Sequence, residues 1–444
     1  MKKWIAAAVL FSLALPFGVH AEGNTAIKIK GEGVKSQALE VEGTLYTEPK
    51  LLEVANKWKV AEEGGKLYVL ISSSDKKTEK VQIPEKKIDG KSYVDFSYFH
   101  KQSGLDYEYN EKKHLMKIKK QKAKKAKKGE ENRKEKEPVF LLWDPDGEFG
   151  KETPYFSENA GRRLLAPTWG SYEGMRKFTG IPDFDYLKQA KERGMEVMPL
   201  IHNDFDLEGT ATWVRDKKGI DQWAKKMAAL AEVYDLAGYN IDFECMKQKD
   251  APLFTDFIRD IATPLHDIGK ELSVDITVYN EGSSIWSLCY DRKGLSAWAD
   301  YQVVMGYDET PQASRYAGSV SSYPWLESGI KRLLQDIPSE KLILGLPFYT
   351  RVWKGNPGYV TSGVLTIKYS DDFIKNHHLK PYWDKTLRQH VASWTEDGVK
   401  KQVWLEDGDS LSEKMKLGKS YQLAGYAFWR HGFESDTIYE KLEK

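Results

Sequence analysis

Cysteine is nearly absent. Only Cys245 and Cys289 occur in 444 residues, too few for a disulfide framework, and no CxxC or Cys/His spacing offers a zinc site. Neither a GxGxxG turn nor a P-loop occurs, which argues against an open doubly wound sheet, and neither a metal nor a cofactor is expected. An excess of one charge sign is lacking too: 67 Lys and Arg stand against 66 Asp and Glu, so no global field points to nucleic acid or to a membrane surface. Beyond the first twenty or so positions, no apolar run is long enough to cross a bilayer.

The first residues supply what the rest withholds. Met1-Lys2-Lys3 precedes an apolar run over 4–16 and then Val19-His20-Ala21, with small residues at both recognition positions of a signal peptidase. The run is shorter than the ~20 residues a spanning helix needs. A cleaved export signal over 1–21 is expected, with Glu22 as the first residue of a secreted or wall-associated chain. No cysteine follows the cleavage point to accept a lipid anchor. Export permits a Cys245–Cys289 bridge, and two free thiols are equally compatible with the sequence. Fourteen Trp and 24 Tyr provide flat faces on which sugar rings stack, although aromatic cores use the same residues.

Composition divides the remainder. Residues 22–117 contain short alternating runs such as Lys66-Leu67-Tyr68-Val69-Leu70-Ile71 between turn-like pieces, which predicts a small strand-rich accessory domain. Eight lysines fall within 117–128, and almost nothing apolar follows until Pro138, so 118–138 reads as a charged linker. A solvated connector explains those charges; electrostatic attachment to an anionic wall polymer is the functional reading. From 139 to 444, β-type runs alternate with amphipathic helical stretches. Strands are predicted at 139–143, 165–169, 196–202, 238–244, 272–279, 301–307, 342–349 and 423–429, with an excursion over 352–422. Eight of them over about 300 residues predict an α/β fold, a (β/α)8 TIM barrel whose catalytic groups sit at the carboxyl ends of the strands.

The sharpest of those ends is Gly238-Tyr239-Asn240-Ile241-Asp242-Phe243-Glu244. Alternation sends Asn240, Asp242 and Glu244 to one face and Tyr239, Ile241 and Phe243 to the other. If the apolar set meets the helices, an amide and two carboxyls enter the barrel, where unpaired burial costs several kcal/mol. A scaffold gains little from such an arrangement. Partial burial beside Asp242 would keep Glu244 protonated near neutral pH, the form required to protonate a glycosidic oxygen. The second half of such a reaction needs either another carboxylate or the substrate's own acetamido oxygen.

This stretch resembles the DGxDxDxE signature of family 18 glycoside hydrolases, the chitinase-like enzymes. Met305-Gly306-Tyr307-Asp308 and Gly425-Tyr426-Ala427-Phe428-Trp429 are similar to the family's sixth and eighth strands. The resemblance implies Glu244 as acid, Asp242 as the group that stabilises the acetamido-derived intermediate, Tyr307 as its hydrogen-bond partner and Trp429 as the stacking platform. It also implies contacts to an N-acetylated polysaccharide or peptidoglycan from Asn240, Met305 and Asp308. Ala237 and Asn240 stand where the signature has its first two Asp residues. The wording Asn-Ile-Asp-Phe-Glu, with Ile343-Leu344-Gly345-Leu346-Pro347-Phe348-Tyr349 and Arg430, is similar to the branch directed at spore cortex and wall peptidoglycan. The segment Gly90-Lys91-Ser92-Tyr93-Val94-Asp95 with Leu105-Asp106-Tyr107-Glu108-Tyr109 loosely resembles copper amine oxidase N-terminal-like modules, without copper ligands.

Among other strand-end residues, Trp143, Trp169 and Tyr279 are candidates for sugar subsites or for core packing, Asn203 is expected to line the cleft and contact substrate, and His202 is a candidate for the cleft lining or for satisfied burial. His377 and His378 have no ligand partner nearby in sequence. Three readings follow: a substrate-assisted retaining hydrolase of N-acetylglucosamine-containing glycan, a non-catalytic glycan-binding wall protein on the same barrel, and a structural wall or coat component. The retained acid at 244 favours the first.

Overall fold

The computed structural model describes residues 25–31, 34–56, 58–72, 78–99, 105–110, 113–120, 137–171 and 182–443. The expected export signal and residues 121–136 of the expected linker lie outside them. Two compact units result.

The first unit is strand-rich. Thr25–Gly31 lies antiparallel to Val34–Val41 and parallel to Leu115–Lys120 within a seven-stranded sheet. Lys59–Glu63, Lys66–Ser72 and Thr78–Ile83 form a separate antiparallel sheet. Ile29, Ala38, Leu51, Phe96, Met116 and Ile118 share the core of the larger sheet. Alternation of buried Met116 and Ile118 carries the last strand to Lys120, so residues 118–120 belong to the sheet and the charged run starts after it.

The second unit is a closed barrel. Its strands are β1 (Val139–Asp144), β2 (Arg162–Ser171), β3 (Leu200–His202), β4 (Gly238–Asp242), β5 (Glu271–Thr277), β6 (Tyr301–Met305), β7 (Leu342–Pro347) and β8 (Gly425–Trp429). Each pairs in parallel with the next, and β8 returns to β1, which leaves no edge exposed. The run over 196–202 is split: Glu196–Val197 pairs with β2, then Pro199, which has no amide hydrogen to donate, interrupts the ladder before β3. The fourth strand ends at Asp242, so Glu244 stands two residues beyond it.

Period-two alternation decides what fills the barrel. Val139, Leu141 and Trp143 of β1 point inward to meet Leu164, Ala166, Leu200, Val303, Ile343 and Ala427. On the outer face of β4, Phe243 stacks on Phe254 and Phe257 of the helix Ala251–His266, with centroids 5.8 and 5.3 Å apart. Burial of each such ring stabilises by roughly 1.5–3 kcal/mol. Gly238 opens β4 because no side chain fits there: its φ is +153° and an added Cβ would lie 1.7 Å from the Glu271 carbonyl oxygen.

The excursion between β7 and β8 is a five-stranded antiparallel sheet with Tyr349–Asn356 next to the edge strand Tyr359–Thr366, followed by the helix Gly408–Ser420. A buried ion pair fastens the two parts, with Lys414 Nζ 2.5 and 2.6 Å from the Glu406 oxygens, and Gln389 donates to Glu406 at 2.7 Å. Ser319 Oγ donates to Gln389 Oε1 at 2.7 Å, and Ser321 Oγ donates to the Gly306 carbonyl at 2.6 Å. Polar contacts of the excursion therefore run to the loop that follows β6. No helix among the described residues is long and apolar enough to cross a membrane.

Candidate active site

Asn240, Asp242 and Glu244 come from the inward face of β4 and its continuation, as alternation requires. Asn240 is fully buried. Its Oδ1 accepts the Trp143 indole N–H at 3.0 Å, and its Nδ2 donates to Ser273 Oγ at 2.9 Å and to Asp275 Oδ1 at 2.7 Å. The same indole N–H also reaches Asp275 Oδ2 at 3.2 Å. Trp143 is thus a core residue whose polar edge organises the site, and Gly345 leaves room for it: a Cβ there would approach its ring to 3.1 Å.

The carboxyl groups are not alike. Burial pushes Asp242 up to about 7, and its Oδ1 is buried without a hydrogen-bond partner among the described residues. Burial, then the charges of Asp242 and Asp308, push Glu244 up to about 9. A group so placed is protonated at neutral pH and can give up that proton, as a general acid must.

The backbone of Glu244 is clamped. Asn203 Oδ1 accepts its N–H at 3.0 Å, Asn203 Nδ2 donates to its carbonyl at 2.7 Å, and the same nitrogen donates to Thr210 Oγ1 at 2.8 Å. Asn203 is 1% exposed, so the residue expected to contact substrate instead positions the acid. Asn203→Ala strands polar groups whose burial costs about 1–3 kcal/mol. A lower melting temperature is expected, together with a kcat reduced by up to about 100-fold at nearly constant KM, because a displaced acid loses its aim; steady-state kinetics and thermal melts measure both.

Aromatic rings line the same end. Trp143 meets Trp429 edge-on at 5.8 Å and Tyr307 at 6.4 Å, and Tyr307 lies 6.5 Å from Trp429. Tyr307 and Trp429 are half-buried, and burial raises the Tyr307 hydroxyl well above its usual range, so it stays a neutral donor. Asp308 is exposed, and its Oδ1 accepts from the Tyr349 hydroxyl at 2.8 Å and from Arg351 Nη2 at 3.3 Å. Those two residues open the excursion sheet and tie it to the loop after β6. Met305 ends β6 half-buried, and Trp169 packs edge-on to Tyr186 at 5.6 Å. Tyr279 belongs to a different group, with the Arg332 and Arg292 guanidinium carbons 4.0 and 5.1 Å from its ring centre.

Two residues that sequence reading did not single out enter the site: Asp275, on the inward face of β5, and Tyr349. Ser273-Asp275-Thr277 alternating with Leu272-Val274-Ile276 was the available sign of the first. Ala237 takes the place of the signature's first Asp within the apolar barrel core, where it needs no partner. Cys245, with φ of +54°, and Cys289 are separate thiols. His390, Asp407 and Asp409 bring ligand-type atoms within 4.8 Å of one another. Asp407 is already committed, capping the helix Gly408–Ser420 and holding His390 Nδ1 at 2.7 Å.

Glycosyl hydrolases family 18 matches residues 93–434. The chain is 27% identical over 283 residues to the uncharacterized glycosylase YvbX of Bacillus subtilis (strain 168), an alignment covering 62% of this chain and 82% of that one. It is 24% identical over 249 residues to the cortical fragment-lytic enzyme of Bacillus anthracis, covering 54% of this chain and 56% of the relative. By fold it is similar to the Bacillus cereus spore cortex-lytic enzyme SleL (TM-score 0.59, 18% identity, 69% of this chain and 74% of the other). A chitinase from Chromobacterium violaceum is similar in the same way (TM-score 0.58, 21% identity, 69% and 98%). With the family model matching most of the chain, and with a closed parallel barrel that carries buried carboxyl groups and aromatic rings at one end, this protein belongs to glycosyl hydrolases family 18.

Proposed function

We propose that the protein is an exported, retaining hydrolase that cleaves the bond following an N-acetylglucosamine unit of peptidoglycan, in particular spore cortex, by substrate-assisted catalysis. The observation that carries this reading is the pair at the mouth of the barrel: Glu244, which burial pushes toward its protonated form, beside an Asp242 whose Oδ1 has no hydrogen-bond partner among the described residues. Glu244 passes its proton to the glycosidic oxygen as the C1–O bond breaks, and the acetamido carbonyl oxygen attacks C1 from the opposite face. The resulting cyclic intermediate carries positive charge on its N–H, which the free Asp242 oxygen accepts. Tyr307 donates its hydroxyl hydrogen to the acetamido oxygen, and the sugar ring rests on Trp429. Water then attacks C1 as the bond between C1 and the acetamido oxygen breaks, which restores the acetamide, and the water's proton passes to Glu244.

Peptidoglycan is favoured over chitin by the names of the cortex-lytic relatives and by the Asn240 wording of the motif. Incubating the purified chain with spore cortex, with vegetative peptidoglycan and with N-acetylglucosamine oligomers tests this, read by mass spectrometry of new reducing ends. Cortex or peptidoglycan fragments ending in N-acetylglucosamine are expected; binding without any new ends would assign the chain to glycan recognition instead. Export and wall association through the lysine run rest on sequence, and amino-terminal sequencing of protein recovered from outside the cytoplasmic membrane should begin at Glu22. A chain that begins at Met1 and stays in the cytoplasm would refute that part.

A further inference from the structure

His202 has no part in the steps above, yet the fold aims it at them. Leu200 points into the barrel core, so alternation turns His202, two residues on, to the same inward face. The parallel register pairs it with Asp242, and Asn203, which clamps the backbone of Glu244, follows it directly. Its side chain stays 29% exposed at the carboxyl end of β3. Just beyond it, Asp206 closes a tight turn by donating its N–H to the Asn203 carbonyl at 2.9 Å, with Asp204 and Phe205 held at φ of +53° and +55°. The exposed rings of Phe205 and of Trp286, on the loop after β5, stand 5.9 Å apart, so the rim outside His202 is open for a glycan to continue across it.

One ring nitrogen is engaged and the other is left for a ligand. Nδ1 accepts the Asp204 N–H at 3.3 Å, so the neutral ring that keeps this bond carries its hydrogen on Nε2. In the charged ring Nδ1 turns its own hydrogen to Asp204 Oδ1, 3.2 Å away, and Nε2 still donates. Nε2 is therefore a donor in both states, and among the described residues nothing accepts from it. The departing sugar supplies the matching group. The retained sugar is held from β4, β6 and β8, through Asp242, Tyr307 and Trp429, while β3 lies on the other side of β4 and faces the unit that leaves. In peptidoglycan the unit after N-acetylglucosamine is N-acetylmuramic acid, joined through its O4, and its C3 carries a lactyl ether that ends in a carboxyl group. That ether sits on the carbon next to the one whose oxygen Glu244 protonates. A chitin unit has only a hydroxyl there. A carboxylate or carbonyl oxygen accepts and cannot donate, which is the group an obligate donor selects.

We propose that His202 is a specificity-determining residue, whose Nε2–H donates to the carboxyl oxygen of the lactyl group on the departing muramic unit and so favours peptidoglycan over chitin. This deepens the hydrolase reading and rests on it. The strand that carries the clamp of the acid thereby also reads the sugar to which the acid gives its proton.

The test compares two tetrasaccharides: alternating N-acetylglucosamine and N-acetylmuramic acid with the stem peptides removed, and N-acetylglucosamine alone. The ratio of kcat/KM for the first to that for the second should fall about 10- to 100-fold in His202→Ala, the usual loss when a donor to a charged acceptor is removed. His202→Gln keeps an N–H donor and should recover part of the ratio. A merely structural role lowers both substrates together and leaves the ratio in place, and that result overturns the proposal, as does a Gln variant no more selective than the Ala one. Calorimetric binding of the same saccharides to Glu244→Gln and to His202→Ala/Glu244→Gln needs no turnover. A loss of affinity confined to the muramic saccharide supports the contact even if the parent cleaves neither glycan, and affinities that stay equal or fall alike refute it. Should His202→Ala fail to fold, His202→Phe serves in both measurements: it fills the space without a donor, and selectivity kept by it contradicts the account.

Discussion

Glu244→Gln should lower kcat by about 10²- to 10⁴-fold, the usual contribution of a positioned general acid, and leave glycan binding in place. Gln preserves the shape of the side chain and the Asn203 clamp, which holds only the backbone. It removes the proton that the leaving oxygen needs. The same variant should be more stable than the parent above neutral pH. Folding raises the Glu244 carboxyl from 4.5 to about 9, so the native state holds more protons than the unfolded one between those values. Stability therefore falls as pH rises through that window, and Gln escapes the fall. At about 2–4 °C per kcal/mol for a domain of roughly 150–250 residues, the gap in melting temperature should be absent near pH 4 and several degrees by pH 8.5. Equal turnover by parent and variant would remove Glu244 from the mechanism.

Asp242→Asn should cost about 10²- to 10³-fold in kcat, the scale seen when one preorganised electrostatic contact to a developing charge is lost. Asn fills the same volume without a charge to set against the positive intermediate. Two changes in the pH profile should accompany the loss. The acidic limb near 7, where burial places the Asp242 carboxyl, should disappear. The alkaline limb should move to lower pH, because the Asp242 charge is, after burial, the main reason that Glu244 keeps its proton to about 9. A variant that loses activity with both limbs unmoved would show that Asp242 acts by shape alone.

Much of this site was legible in the sequence because β-strand alternation is strict. Asn240, Asp242 and Glu244 alternate with Tyr239, Ile241 and Phe243, and the barrel has only one interior to receive the polar set. Tyr307 and Trp429 were legible instead through the resemblance of their segments to the sixth and eighth strands of the family. Less legible was where a strand stops. Pro199 splits the third strand, and the turn at Cys245 follows Glu244 directly, details set by local backbone geometry rather than by polarity. Asp275 escaped notice because an isolated acid inside Leu272-Ser273-Val274-Asp275-Ile276 reads as one polar position of a half-buried strand; only the register against β4 shows that its neighbour is Asp242. Asn203 was read as a cleft residue because it follows a strand end, whereas its task depends on the backbone of a residue 41 positions away. Trp143 and Tyr279 illustrate the limit of aromatic counting: one carries its indole N–H into the polar network, the other packs against Arg332, and nothing in their sequence settings separates them.

The anomeric form of the first product bears most directly on the claim that a protonated Glu244 cleaves the bond while the acetamido oxygen attacks. Proton NMR of an N-acetylglucosamine-containing β-linked glycan, recorded during the first minutes of cleavage, should show the β-anomer appearing before mutarotation, with no cleavage of the same glycan once its acetyl groups are removed. First appearance of the α-anomer, or equal cleavage of the de-N-acetylated glycan, would contradict the account.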